Sequence, residues 1–127
     1  MLDLKMDHVH IHSSDVKKTI SYYERMFDWT LTLDTMIGDL RLIRMKIGDG
    51  HVNIFERPPG IPDPKPENSP IHHFAFRVIN FEAAVDELRK KGAEFAVGPK
   101  NIGGKTKLVY VRAPDNVLIE VLETTAY

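Results

Sequence analysis

Lys5-Met6-Asp7-His8-Val9-His10-Ile11-His12 opens the regular structure of this chain, and Ile71-His72-His73-Phe74-Ala75-Phe76-Arg77-Val78 opens it a second time. In the first stretch histidine alternates with apolar residues, so an extended backbone puts His8, His10 and His12 on one face. Ser13-Ser14-Asp15 then offers helix caps, and Val16, Ile20, Tyr23 and Phe27 form an apolar stripe at helical spacing. Residues 29–33, 40–47 and 51–56 read as strands. Met36-Ile37-Gly38-Asp39 reads as a turn and Gly48-Asp49-Gly50 as a hairpin. The order is β-α-β-β-β.

Working outward, residues 58–70 are proline-rich and without periodicity. Proline lacks an amide donor for a central ladder, so this is a linker. The second stretch then repeats the first: strand 71–78, Asn80 as helix cap, and Phe81, Ala84, Val85 and Leu88 on one helix face. Gly92 is a left-handed stop, followed by a short strand 93–97. Asn101-Ile102-Gly103-Gly104 turns into strand 107–112, and Pro114-Asp115-Asn116 turns into strand 117–122. The expected class is α+β: two βαβββ modules (1–57 and 71–127, linker 58–70) in one domain, their curved sheets paired around a cleft.

The composition excludes several functions. The chain has 127 residues, net charge −1 and no cysteine. Disulfides, thiolate zinc sites and cysteine nucleophiles are therefore absent, which fits a cytoplasmic setting. Acidic and basic residues are interspersed, so nothing calls for nucleic acid or an anionic membrane surface. The N-terminal Met1-Leu2-Asp3-Leu4-Lys5 lacks a signal-type apolar run, and no stretch is long enough to span a bilayer.

Aligning the modules on their opening histidines isolates the chemistry. His8 stands seven residues before Asp15 and His73 seven before Asn80, each at a helix start, and Asn53 and Glu120 fall at similar places in the fourth strands. Two imidazoles and a carboxylate suit Zn, Fe(II), Mn, Co or Ni and leave positions open for substrate. Glu120 lies between Ile119 and Val121, where an inward carboxylate needs a partner; an outward glutamate on an alternating strand is the other reading. By alternation His72 points away from His73. Either His10 and His12 line the pocket or they fill the space between sheet and helix. His51 shares the face of Asn53, and Arg77 that of His73. Inward, Arg77 or Tyr110 would serve a substrate; a surface ion pair is the plainer role for the arginine.

Asp7-His8-Val9-His10-Ile11 with Asp15 and Tyr22-Tyr23 resembles the opening of vicinal oxygen chelate (glyoxalase/bleomycin resistance/extradiol dioxygenase) proteins. His72-His73-Phe74-Ala75-Phe76-Arg77-Val78, Phe81-Glu82-Ala83-Ala84, Lys91-Gly92 and Val117-Leu118-Ile119-Glu120 resemble that superfamily's second module. The second half, with Gly103-Gly104-Lys105, is most similar to methylmalonyl-CoA epimerase. The resemblance implies one divalent ion on His8, His73 and Glu120, a small-molecule substrate and a homodimer. The remaining ligand position falls on Asn53, where glyoxalases and epimerases carry glutamate or glutamine; the dioxygenase and fosfomycin-resistance branches use three ligands. The implied chemistry is chelation of neighbouring substrate oxygens with stabilisation of an enolate-like charge, as in an isomerase, epimerase or lyase, with Glu120 as a candidate transient base. Fe(II) ring cleavage and metal-free drug binding are the alternatives. His10, His12, Asn53, Arg77 and Tyr110 are the candidate substrate contacts.

Overall fold

A computed structural model describes residues 2–3 and 5–127. Met1 and Leu4, part of the N-terminal stretch read above, lie outside the described residues. The first half runs β1 (Val9–Ser13), α1 (Val16–Phe27), β2 (Thr30–Ile37), β3 (Leu40–Ile47) and β4 (Gly50–Glu56). The second runs β5 (Phe74–Arg77), α2 (Phe81–Lys90), β6 (Phe95–Ile102), β7 (Thr106–Arg112) and β8 (Leu118–Thr124). Each half forms one four-stranded sheet, ordered β1-β4-β3-β2 and β5-β8-β7-β6. This is the α+β, two-module βαβββ architecture expected from the repeat. Contacts divide the chain into two units, Met1–Ile61 and Pro62–Tyr127.

The local chemistry explains each unit. In unit one, Asp15 caps α1 by accepting from the Lys18 amide, and Asp28 closes the helix in the left-handed region. Tyr23 and Met26 on α1 are buried with Ile43, Met45, Val52 and Ile54 from the sheet, and Trp29 stacks on Tyr23 at 3.9 Å. The Ser13 and Thr19 hydroxyls hydrogen-bond at 2.6 Å, tying β1 to α1 inside the core. In unit two, Asn80 caps α2 through the Ala83 amide, and Gly92 follows the helix at φ +80°. Phe81, Val85 and Leu88 are buried with Val109, Val111, Ile119 and Val121. Burying a side chain of that size contributes about 1.5–3 kcal/mol.

Several boundaries differ from the sequence reading. β1 begins at Val9, so His8 precedes the strand, and β5 begins at Phe74, so His73 also precedes its strand. Met36 and Ile37 belong to β2, leaving Gly38-Asp39 as a two-residue turn. β6 is longer than 93–97 and continues through Pro99 to Ile102. A proline is compatible with that position because β6 is the edge of its sheet, where one side of the backbone needs no ladder partner.

Candidate metal centre

The second unit carries the tightest arrangement of candidate ligands. Glu120 lies mid-way along β8, paired with Ala75 of β5 on one side and Tyr110 of β7 on the other. His73 sits at the mouth of β5, and its Nε2 lies 2.9 Å from Glu120 Oε2. Only 12% of the Glu120 side chain is exposed, so its partner is a requirement of burial, and the outward reading of Glu120 does not hold. The His73 Nδ1 lies 2.9 Å from the His72 Nδ1. This corrects the opposite-face reading of His72: residues 71–73 are not strand, so strand alternation does not govern them. Tyr110 presents its ring edge-on to His73 at 4.9 Å and to His72 at 6.1 Å. Burial, then the Glu120 charge, raises the Tyr110 pKa, so its phenol stays a neutral donor. Arg77 instead reaches the chain's last residues, with Nη1 donating to the Thr124 and Tyr127 carbonyls and the guanidinium over the Tyr127 ring.

The first unit builds a histidine-rich sheet face. Register places Arg44 of β3, Asn53 of β4 and His10 of β1 in one row across three strands. His10 and His12 are exposed, while Val9, Ile11 and Ser13 alternate inward. The two imidazoles therefore do not fill the space between sheet and helix. His10 stacks on Phe55 at 4.2 Å and meets His12 edge-on at 5.0 Å. Burial first, then the neighbouring His12 and His8, lowers its pKa. His51 is half-buried and paired in register with Lys46. Asn53 is 6% exposed and accepts from Arg44 Nη1 at 3.2 Å. The same Nη1 donates to Asp7 Oδ2 at 3.1 Å, and His8 Nδ1 donates to that oxygen at 2.6 Å. Hydrogen bonds from His8 and Arg44 hold the Asp7 carboxyl at about 2.

His8 therefore stands in unit one, and His73 and Glu120 in unit two. Among the described residues no group of three or more His, Cys, Asp or Glu side chains is already placed to hold a metal ion. The donor chemistry of the second unit nonetheless fits a divalent ion. Two ligands bonded at about 2.1 Å and subtending 90–110° lie about 3.0–3.4 Å apart, close to the observed Nε2–Oε2 spacing. Unit one has a cavity of about 770 Å³ between Val16, Met36, Leu40, Glu56 and Pro58, with no histidine in its lining.

Sequence reasoning did not single out Arg44 or weigh Asp7. The signal was present: a two-residue Gly48-Asp49 turn sets Ile47 opposite Gly50, and hence Arg44 opposite Asn53.

The profile of the Glyoxalase/Bleomycin resistance protein/Dioxygenase superfamily matches residues 5–121. The chain belongs to that superfamily. No curated protein matches it significantly. Among solved structures it is similar to TnmS3, an antibiotic-binding protein from a Streptomyces species, with TM-score 0.76, 19% identity, and coverage of 98% of this chain and 99% of that one. It is similar to the fosfomycin resistance protein FosX of Listeria monocytogenes, with TM-score 0.78, 16% identity and coverage of 98% and 94%. A variant of that Listeria protein has been solved with Mn(II) and 1S,2S-dihydroxypropylphosphonic acid; it matches with TM-score 0.79, 16% identity and coverage of 98% and 95%. Superfamily membership places this chain among folds that bind small molecules. Among the described residues no helix is long and apolar enough to cross a membrane.

Proposed function

We propose that this superfamily member is a divalent-metal-dependent enzyme acting on a small molecule, with His8, His73 and Glu120 as the ligands. The observation that carries the reading is the 2.9 Å approach of His73 Nε2 to Glu120 Oε2, on a side chain that is 12% exposed. A bound divalent ion supplies Lewis-acid stabilisation of negative charge on neighbouring substrate oxygens, which is the chemistry of an isomerase, epimerase or lyase. The protein's own groups do the rest. Glu120 accepts a substrate proton, Tyr110 offers a neutral phenolic donor beside it, and His72 holds the His73 ring. His10, His12 and Asn53 are the substrate contacts contributed by the first unit. The Mn(II) in the FosX structure supports the metal.

The test is calorimetric titration of the full chain with Mn(II), Zn(II) and Fe(II), the last under anaerobic conditions. One ion per chain is expected, with affinity lost in His73→Ala, Glu120→Ala and His8→Ala alike. Affinity unchanged in all three variants would sink the proposal. The reading includes a homodimer, which sedimentation equilibrium of the same samples reports. A second reading, capture of a small molecule without catalysis, rests on the antibiotic binding of TnmS3. It gains if no metal binds and His8→Ala leaves ligand affinity intact. Ring cleavage on Fe(II) is the third, and turnover without O2 excludes it.

A further inference from the structure

Arg44 occupies the middle of an otherwise apolar stretch of β3, between Ile43 and Met45, both buried. Its side chain is 21% exposed, and the guanidinium donates to three acceptors. One nitrogen, Nη1, donates to both Asn53 Oδ1 and Asp7 Oδ2, and Nη2 donates to the Asp7 carbonyl. Asp7 lies in the segment before β1 and is 71% exposed, so burial does not fix it in place. Its fixed position comes from Arg44. From that position it accepts a hydrogen bond from His8 Nδ1.

This geometry has a chemical consequence. A neutral imidazole carries one proton, and a carboxylate is a pure acceptor, so the Asp7 contact puts the proton on Nδ1 and leaves the lone pair on Nε2. An imidazole without a partner has no such constraint. Asn53 is engaged too. Its only ligating atom is the amide oxygen, and that oxygen already faces a guanidinium; a metal cation on the same atom would bring two positive charges together.

We propose that Arg44 is a positioning residue: through Asp7 it fixes His8 with Nε2 free to bind a divalent ion, using Asn53 as its anchor and so removing Asn53 from the ligand set. The proposal rests on the metal-site reading above for the use of Nε2, but the proton's position is independent of it.

The experiment is 15N NMR of the histidine ring nitrogens in the metal-free full chain, above the pH at which the rings are neutral, followed by titration with Zn(II). In the unaltered protein the His8 proton resides on Nδ1. Arg44→Ala and Asp7→Ala move it to Nε2, and Zn(II) affinity falls about 10- to 100-fold, the usual effect of losing a group that orients a ligand. Arg44→Lys, which keeps the charge and one donor, recovers part of both. Asn53→Ala also shifts the proton, because the clamp loses its anchor. A His8 ring protonated on Nε2 in the unaltered protein overturns the proposal, as does an unshifted proton in folded Arg44→Ala. Should Arg44→Ala fail to fold, Arg44→Gln, which keeps the bulk and removes the charge, decides the same point: an unshifted proton there overturns the proposal. Asn53→Ala that weakens Zn(II) binding without moving the proton makes Asn53 a ligand and overturns the anchor. If the unaltered protein binds no metal, the functional reading falls while the proton position still decides this one.

Discussion

Asp7 shows how one exposed carboxylate is made unusual by its neighbours. Hydrogen bonds from His8 and Arg44 and the Arg44 charge lower its pKa from 3.8 to about 2. A depressed carboxylate pKa stabilises the folded state above the ordinary value, and that contribution disappears as pH falls through the depressed one. In metal-free protein the Asp7 side-chain carbon signal is therefore expected to titrate near pH 2, and Arg44→Ala to bring the midpoint back towards 3.8. A midpoint that does not move in Arg44→Ala contradicts the contact. The same scale separates what the sequence discloses from what it conceals. His8 and His73 stand out in the sequence because each lies seven residues before a helix cap, Asp15 and Asn80. Arg44 does not, because its partners come from other strands, and only register reveals them. His72 misleads for a related reason: alternation holds inside a strand, and His72 lies just outside one.

At the scale of elements, both helices and all eight strands are legible in order, since caps and periodicity are local signals. Asp15 and Asn80 cap as read. Strand ends are less legible. Met36 and Ile37 look like turn residues beside Gly38, yet the β2–β3 hairpin carries them to its tip as exposed strand. β6 is hidden by Gly98-Pro99, which reads as punctuation and lies within an edge strand. Gly98 is there for a physical reason. Its φ is +83°, and a Cβ at that position would stand 2.8 Å from the Leu108 carbonyl oxygen of β7. Backbone on both sides leaves no flexible group to yield. Gly98→Ala is expected to destabilise the protein by about 1–3 kcal/mol, read as a lower urea midpoint with an unchanged slope. An unchanged midpoint would mean that β6 sits further from β7 than described.

For the whole molecule, the repeat settles architecture better than chemistry. Each unit has its own sheet, capped helix and apolar core, so the superfamily's fold survives at 16–19% identity to the solved relatives described above. The halves differ instead in a few polar residues, Asn53 facing Arg44 in one and Glu120 facing His73 in the other. The sheet order also carries a kinetic consequence. β2, β3 and β4 are joined by two short hairpins, as are β6, β7 and β8 by short connections, so these meanders close over few residues. β1 and β5 pair in parallel with the last strand of their units, Val9 with Val52 and Phe74 with Ile119. Closing so long a loop costs more chain entropy, and parallel pairing returns slightly less per residue. The strands that follow directly on His8 and His73 are thus expected to dock last during folding and to open first in the native state. Amide hydrogen exchange measures this: β1 and β5 should lose protection before β3, β4, β7 and β8, and equal protection throughout would show that each sheet opens as a single unit.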